Sequence, residues 1–213
     1  MAWRITLAMY VPPTFSETDP EKLLELCARY PLATVITPTA AELWISHVPL
    51  LARRREGRSL LIGHLARANG HWRALEGGAT TTAIFHGPHA YVSPRWYATA
   101  PAVPTWNYLV VHATGPATVH HDGAHVAAHV RELTERFEGR EPGAWRAEAL
   151  PADFAAPLLR GVVGFEIAVE RWEGKLKLSQ NRSAEDRAGV IAHLAAEPSE
   201  AARAVAALMR GDS

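Results

Sequence analysis

The central part of the chain alternates apolar and polar positions with the period of β-strands, from about residue 32 to residue 120. Short segments rich in β-branched and aromatic residues are separated by turns that contain glycine or proline. The predicted strand segments are LATVIT, ELWISHVPLL, SLLIGH, ATTTAIF, AYVS, NYLVVHATG and PATVHH, with HGPH and TGP among the turns. Strands at this spacing favour an antiparallel sandwich or barrel over alternating strand–helix units.

Helical periodicity flanks and interrupts this region. TDPEKLLELCARY predicts a helix capped by Asp19, and HDGAHVAAHVRELTERFEG predicts one capped by Asp122. SAEDRAGVIAHLAAE begins with a capping box at Ser183, and a short helix is expected to begin near Ala66. VVGFEIAVERWEG alternates as a half-buried strand does. The predicted fold is therefore mainly β with surrounding helices (α+β), built on a small antiparallel barrel.

Composition narrows the class of protein. Lysine and arginine number 22, as do aspartate and glutamate, so the formal net charge is zero. This balance argues against a protein that binds nucleic acid or a membrane surface strongly. Cys27 is the only cysteine, which excludes a disulfide framework and fits a reducing cytoplasm. No apolar run is long enough to span a bilayer, and Met9 is a candidate natural start that would make residues 1–8 an extension.

The segment GHLARANGHW, residues 63–72, gathers polar side chains where a strand is expected to pass into a helix. Arg67 and Asn69 are expected in the first turn of that helix, close to His64. Free backbone N–H groups and an arginine at such a point favour an anion, so the segment is a candidate phosphate cradle. The alternative is that Arg67 and Asn69 only cap and decorate a surface helix.

Two later segments, FHGPHAYVSPRWY and VPTWNY, carry aromatic side chains beside hydroxyl and amide groups. Ser93 lies at a predicted strand end, and Trp106 and Asn107 begin the next strand. A flat polar ring system is bound by such a lining, through stacking faces and a few hydrogen bonds at its edge. A tryptophan-rich core or dimer interface is the alternative.

Histidine and arginine clusters are weaker signals. His121, His125 and His129 share one helix face, a spacing that can hold a metal. No carboxylate or cysteine completes the set, so we predict a solvated face and no metal site. The basic hairpin tip RRREGR, residues 53–58, could contact a nucleic-acid backbone but is more typical of a solvated turn. No motif identifies a catalytic nucleophile or base, so catalytic residues are unknown.

Six ordered motifs resemble one family along most of the chain. They are MYVPPTF at 9–15, HVPLL at 47–51, GHLARAN at 63–69, FHGPHAYVSPRWY at 85–97, VPTWNY at 103–108 and KLSQNR at 177–182. Together they resemble the PaiB-type FMN-binding negative transcriptional regulators. The resemblance implies the flavin split β-barrel, which is related to pyridoxamine-phosphate oxidases. Two departures are Pro13-Thr14, where the family often has a basic residue or histidine, and Gly70, where it usually has proline.

The resemblance also implies a homodimer with two FMN sites at the subunit interface. Arg67 and Asn69 would hold the phosphate with His64 nearby, and the strand with Ser46, His47 and Val48 would run along the ring. Neighbouring strands and a C-terminal basic segment would complete the site, through Ser93, Trp106, Asn107, Lys177, Gln180 and Asn181. Residues 9–195 would form the FMN-binding split-barrel domain, and residues 196–213 an Ala-rich C-terminal helix or tail.

Four functions follow as hypotheses. The first is a PaiB-like, dimeric, cytoplasmic FMN-binding protein with a role as a negative transcriptional regulator. DNA as a partner is implied by the family alone. The second is a flavin-dependent oxidoreductase, either a flavin reductase or an enzyme like pyridoxamine-phosphate oxidase, because the cofactor itself carries redox chemistry. The third is a split barrel that binds haem or another ligand, and the fourth is a dimeric scaffold with an empty cleft.

Overall fold

A computed structural model describes residues 8–211. Residues 1–7, most of the extension expected before Met9, and residues 212–213 lie outside the described part. The strands are β1 (Ser16–Glu17), β2 (Leu32–Pro38), β3 (Leu43–Pro49), β4 (Leu51–Arg55), β5 (Arg58–Ala66), β6 (Thr80–Val92), β7 (Thr105–His120), β8 (Val162–Ala168) and β9 (Arg171–Lys177). The helices are α1 (Pro20–Arg29), α2 (His71–Glu76), α3 (Gly123–Glu138), α4 (Ala152–Arg160), α5 (Ala184–Ala196) and α6 (Glu200–Arg210). None of the helices in this range is long and apolar enough to cross a membrane.

The strands form one sheet that does not close on itself. Its order is β3-β2-β6-β7-β8-β5-β4, and β9 pairs with β7 and with β1. The pairs β2–β3, β4–β5, β5–β8, β7–β8 and β1–β9 are antiparallel. The predicted architecture, mainly antiparallel β with helices around it, is confirmed.

Two compact units divide the chain. The first comprises Cys27–Ile84 and Ala113–Arg171, and its core includes the fully buried Leu61 and Phe165. The second comprises Ala8–Leu26, Phe85–His112 and the chain from Trp172 onward. The core of the second unit includes side chains from β6, α5 and α6: Ala90, Val92, Val190, Leu194, Val205, Ala206 and Met209. The domain boundary expected after residue 195 stays a prediction.

The predictions of two turns are wrong, because β6 continues through HGPH and β7 continues through TGP. The glycines in these segments serve close packing instead. A Cβ at Gly87 would lie 2.7 Å from the Leu109 side chain, and a Cβ at Gly115 would lie 1.8 Å from the Ala168 carbonyl oxygen. Glycine inside a strand often marks such a close approach, which the sequence pattern cannot distinguish from a turn.

The segment after β5 also differs from the expectation, because α2 begins at His71 rather than near Ala66. The chain first makes a turn in which the Asn69 N–H donates to the Ala66 carbonyl (2.8 Å), while the Arg67 N–H donates to the Gly161 carbonyl (2.7 Å). Arg67 and Asn69 therefore lie in the connecting turn and not in a helix. The caps predicted at Asp122 and Ser183 are confirmed.

Candidate functional site

A buried chain of hydrogen bonds in the first unit connects β3, the turn after β5, and α2. Ser46 on β3 is 7% exposed, and its Oγ lies 2.8 Å from His71 Nδ1. Asn69 Nδ2 donates to the same Oγ at 3.0 Å. His71 Nε2 lies 2.8 Å from Thr37 Oγ1, which is 2.9 Å from Thr81 Oγ1. Strands β2, β3 and β6 are thus joined to the turn after β5 and to the start of α2.

The direction of these hydrogen bonds follows from their fixed ends. The His71 backbone N–H donates to Asn69 Oδ1 (3.0 Å), so the amide nitrogen of Asn69 must face Ser46. The Ser46 hydroxyl then donates to His71 Nδ1, and His71 carries its proton on Nε2, which donates to Thr37. Thr37 donates to Thr81, whose hydroxyl ends the chain on the Ala79 carbonyl at 3.2 Å. Every buried group in the chain is satisfied when His71 is neutral.

Burial supports the same state of His71. The side chain is fully buried, and desolvation lowers the pKa of His71 from 6.5 to about 4. At neutral pH the ring is therefore uncharged and holds Ser46 and Asn69 in place. The amide of Asn69 keeps one N–H that has no acceptor within residues 8–211. That N–H is available to a ligand.

Arg67 lies in the same turn, with its guanidinium anchored on one side. Nε donates to the Arg160 carbonyl (3.0 Å), Nη2 donates to the Val162 carbonyl (3.2 Å), and Nη1 lies 3.4 Å from His121 Nδ1. A guanidinium has five N–H groups, so two remain on this exposed side chain. Arg67 therefore presents a permanent positive charge in a fixed position.

The strand expected along the flavin ring is an edge of the sheet. β3 pairs with β2 and is the terminal strand in the order, so its other edge has backbone groups available for a ligand. His47 faces outward on this strand, and its Nδ1 lies 3.0 Å from Thr34 Oγ1. Val48 is half-buried on the opposite face, the one that also carries Ser46.

His64 is directed toward α3 instead of the turn. Its Nδ1 lies 3.2 Å from His129 Nε2, and burial lowers the pKa of both histidines, that of His129 to about 4. The structure therefore places His64 in a histidine pair within the first unit. Its expected place beside the phosphate has no support in these contacts.

The three residues predicted at the end of β6 and the start of β7 have separate roles in the second unit. Asn107 is fully buried, and its amide bonds with Ser179 Oγ (3.0 Å) and Met209 Sδ (3.3 Å). Ser93 accepts from the Arg95 N–H (3.3 Å) and caps a short 3₁₀ helix, Pro94–Trp96. Trp106 is half exposed and lies against His89 and Tyr91. Asn107 is therefore enclosed in the core, while Trp106 offers a ring face to a ligand.

A cavity of about 780 Å³ opens beside that tryptophan. It lies within the second unit and combines aromatic rings with polar groups. Its lining includes Tyr91, Ser93, Arg95, Trp96, Trp106 and Glu197. The volume and the mixture of groups suit a planar polar molecule.

The KLSQNR segment is bound mainly to its own surroundings. Lys177 Nζ donates to the Trp106 carbonyl (2.9 Å) and to Thr105 Oγ1, and burial lowers the pKa of Lys177. Gln180 Oε1 accepts from the Leu178 N–H (2.7 Å). Asn181 is exposed. The structure thus gives Lys177 a role in fixing the start of β7, beside Trp106.

Of the twelve predicted residues, the structure joins Ser46 and Asn69 directly and places Arg67 in the same turn. Sequence reasoning missed His71, Thr37 and Thr81, which complete the network. The available signal was the histidine two residues after Asn69, within GHW. Its partners on β2 and β6 depend on long-range pairing that a local pattern does not reveal.

The glycine that departs from the resembled family has a structural partner. Gly70 has φ −61°, a value that proline also adopts. A Cβ at Gly70 would lie 2.8 Å from the Trp44 ring, which also stacks on His71 with ring centroids 6.0 Å apart. The backbone geometry therefore agrees with the family, while Trp44 occupies the space that a proline ring would need.

These donors fit the phosphate and polar chain of FMN. Arg67 supplies a fixed positive charge with two remaining N–H groups, and Asn69 supplies a third donor held by the buried network. Charge-assisted bonds from an arginine suit a phosphate. The available edge of β3 adds backbone donors and acceptors of the kind that the rim of a flavin ring requires.

The open antiparallel sheet with its flanking helices has the fold of the flavin split-barrel class. Two solved structures share the fold: the flavocytochrome Anf3 from Azotobacter vinelandii (TM-score 0.59, 19% identity, 82% of this chain and 75% of that one) and the FAD and heme binding protein from Mycobacterium smegmatis (TM-score 0.57, 21% identity, 81% and 78%). Residues 9–171 match the family model described as "Putative FMN-binding domain", so the chain belongs to this FMN-binding family.

A curated relative agrees with that assignment. The chain is 32% identical over 201 residues to "Protease synthase and sporulation protein PAI 2" of Bacillus subtilis, covering 94% of this chain and 96% of the relative. It is also 30% identical over 233 residues to an uncharacterized protein of Aspergillus fumigatus, covering 86% and 89%. The predicted PaiB-type resemblance, the split-barrel fold and FMN as the cofactor are confirmed by the family match and these relatives.

The neutral state of His71 predicts how stability depends on pH. Its pKa is about 4 in the folded protein and 6.5 when exposed, so the unfolded chain binds more protons between these values. The contribution of His71 to stability is complete above pH 6.5 and is lost as pH falls toward 4. We expect His71→Gln to lower the free energy of unfolding at pH 7 by about 1–3 kcal/mol and to flatten this pH dependence.

Urea denaturation at several pH values between 4 and 7 measures both effects. His193→Gln removes an exposed histidine, and we expect its free energy of unfolding to depend on pH as that of wild type does. If the free energy of unfolding of His71→Gln depends on pH as that of wild type does, His71 is not held neutral by the network.

Proposed function

We propose that the protein is a cytoplasmic, FMN-binding homodimer with a regulatory role, in which Arg67 and Asn69 hold the phosphate of FMN. The observation that supports this most strongly is the buried network that fixes Asn69 through Ser46 and His71. A network of this kind positions the Asn69 side chain, whose remaining N–H has no acceptor within residues 8–211. Such preorganisation reduces the cost of binding a ligand.

When bound, FMN supplies hydride and one-electron chemistry through its ring. The residues of this chain would bind the cofactor and orient it. Arg67 supplies charge for the phosphate, and Asn69 donates its remaining amide N–H. Ser46 and the neutral His71 keep that amide from rotating, while His47 and the backbone of β3 offer polar groups along the sheet edge.

The homodimer is supported by exposed apolar side chains on the outer face of β2 and β3. Leu32 is 64% exposed, Leu43 51% and Ile45 52%. These positions lie on one face because Leu43, Ile45 and His47 alternate with inward residues. Apolar groups clustered in this way on a sheet face are typical of a protein–protein interface.

The regulatory role rests on the PaiB-type resemblance and on the similarity to a sporulation protein, and DNA is its implied target. The basic hairpin tip gives little support for direct DNA contact. Arg53 forms an ion pair with Glu132, and Arg55 forms one with Glu166 at 2.7 Å. Because at least two of its four arginines are paired and the net charge of the chain is zero, we propose that regulation does not use this hairpin to bind DNA.

A flavin-dependent oxidoreductase is the second candidate, and the cavity of about 780 Å³ in the second unit favours it. Tyr91, Trp96 and Trp106 offer stacking faces there, and Arg95 adds a positive charge. A planar substrate, in addition to the flavin, would fit in such a cavity. Oxidation of NADPH or of a pyridoxal-type substrate by FMN-loaded protein would support this function.

Replacing Arg67 tests the phosphate site. We expect Arg67→Ala to weaken FMN binding about 30-fold, because charge-assisted hydrogen bonds contribute about 1.5–3 kcal/mol. Riboflavin, which has the same ring and no phosphate, should bind wild type and variant alike. Fluorescence titration with each flavin measures both affinities, and Arg58→Ala, at the exposed hairpin tip, is the control for loss of an arginine.

An equal loss for FMN and riboflavin would show that Arg67 supports the fold rather than the phosphate. Visible absorption of the protein purified without added cofactor gives an independent check. Flavin bands are expected. A haem Soret band without a flavin spectrum would favour the haem-binding alternative.

The dimer is tested by placing a charge on the outer sheet face. Ile45→Glu should convert the dimer to a monomer because a buried unpaired carboxylate is costly in an interface. Light scattering coupled to size-exclusion chromatography measures the mass. Phe154→Glu changes an equally exposed apolar residue on α4 (58%) and should leave the dimer intact. If Phe154→Glu gives a monomer and Ile45→Glu leaves the dimer intact, the dimer interface lies on α4 and this proposal is wrong.

Mobility-shift assays test the regulatory role. With DNA from upstream of its own gene, FMN-loaded protein should give no shift at physiological salt, because at least two arginines of the hairpin tip are paired and the chain has no net positive charge. A shift that survives competition by unrelated DNA would contradict this indirect form of regulation and would make DNA the direct target.

A further inference from the structure

A second polar cluster lies in the first unit, formed by residues that the proposed FMN site does not use. His120 ends β7, His125 lies in the first turn of α3, and Glu166 is on β8. One ligand atom from each of these residues lies within 4.8 Å of the other two. Three elements of the fold thus bring two imidazoles and a carboxylate close together.

The separations are close to those of a metal site. His125 Nε2 lies 3.8 Å from Glu166 Oε1, and His120 Nε2 lies 3.9 Å from Glu166 Oε2. Nitrogen and oxygen atoms that share a tetrahedral Zn²⁺ at 2.0–2.2 Å are about 3.4 Å apart. Movement by about half an ångström would bring these atoms to that spacing. The distances are too long for hydrogen bonds, so the side chains do not satisfy one another directly.

An unsatisfied nitrogen is the second observation. His120 Nε2 is buried and has no hydrogen-bond partner within residues 8–211. Its ring stacks on that of His125, with centroids 3.9 Å apart and 21° between the planes. This stack aims both ring nitrogens at the same carboxylate. A buried nitrogen without a partner is rare in folded proteins and is explained when it ligates an ion.

The surroundings hold the carboxylate and leave a route to it. Arg55 Nη2 donates to Glu166 Oε2 at 2.7 Å, which fixes the carboxylate and leaves Oε1 facing His125. The positive charge of Arg55 opposes a cation, so the affinity is expected to be moderate. A cavity of about 430 Å³, lined in part by His125, His129 and Glu166, gives access to the cluster.

We propose that His120, His125 and Glu166 bind a divalent transition metal of the zinc type, with one coordination position open to this cavity. Two imidazoles and one carboxylate form a donor set that Zn²⁺ accepts readily. The metal ties the start of α3 to β7 and β8. The expectation from sequence was no metal site, because Glu166 is 41 residues from His125 in a strand whose pairing a local pattern does not show.

Isothermal titration of the full-length chain with ZnCl₂, after removal of any affinity tag, tests the proposal. We expect one Zn²⁺ per chain. His125→Ala and Glu166→Gln should each weaken Zn²⁺ binding more than about 100-fold, a larger loss than outer-shell changes cause. His121→Ala is the matched control, because this neighbouring histidine is directed to Glu76 at 2.9 Å and should leave the affinity unchanged.

Circular dichroism checks that each variant is folded, and His125→Ala is the safer of the two because this side chain is partly exposed. Co²⁺ gives a second readout, since its d–d absorption reports a site with histidine and carboxylate ligands. The proposal is overturned if the wild-type chain binds no Zn²⁺ at micromolar concentrations. It is also overturned if the binding is equal in wild type and His125→Ala.

Discussion

The chain of hydrogen bonds through buried His71 is the constraint on which the candidate flavin site depends. It begins at Asn69, passes through Ser46 and His71, and ends in the two threonines of β2 and β6. Each member has one direction in which it can donate, so the chain is satisfied only with a neutral imidazole. Because a half-satisfied buried network is costly, the fold holds the turn after β5 in one geometry. In the proposed site, that geometry presents the remaining N–H of Asn69 to the phosphate.

Five histidines in the first unit have three different roles, although they look alike in the sequence. His71 is an internal relay of hydrogen bonds, the half-buried His64 pairs with the buried His129, and His120 and His125 lie beside Glu166. Burial favours the uncharged form, which can accept as well as donate. The interior of this unit can therefore contain many imidazoles without burying charge. The same property makes some of them suitable as metal ligands.

The sequence predicts the strands, the helices and several caps well, because these depend on local periodicity and local hydrogen bonds. It fails at Gly87 and Gly115, where glycine is required by a neighbouring strand and not by a turn. The predicted start of α2 is also too early, because contacts with β3 and α2 stabilise a turn at Asn69. Arg67, Asn69 and Ser46 could be singled out from motifs. Their supporting residues could not, because strand pairing brings them together.

The most direct test of the account is a crystal structure of the protein with FMN bound. The account predicts the FMN phosphate within hydrogen-bond distance of the Arg67 guanidinium and of the Asn69 amide nitrogen, with the Ser46–His71 contact unchanged. A phosphate bound elsewhere, with Arg67 still directed only at the carbonyls of Arg160 and Val162, would contradict it.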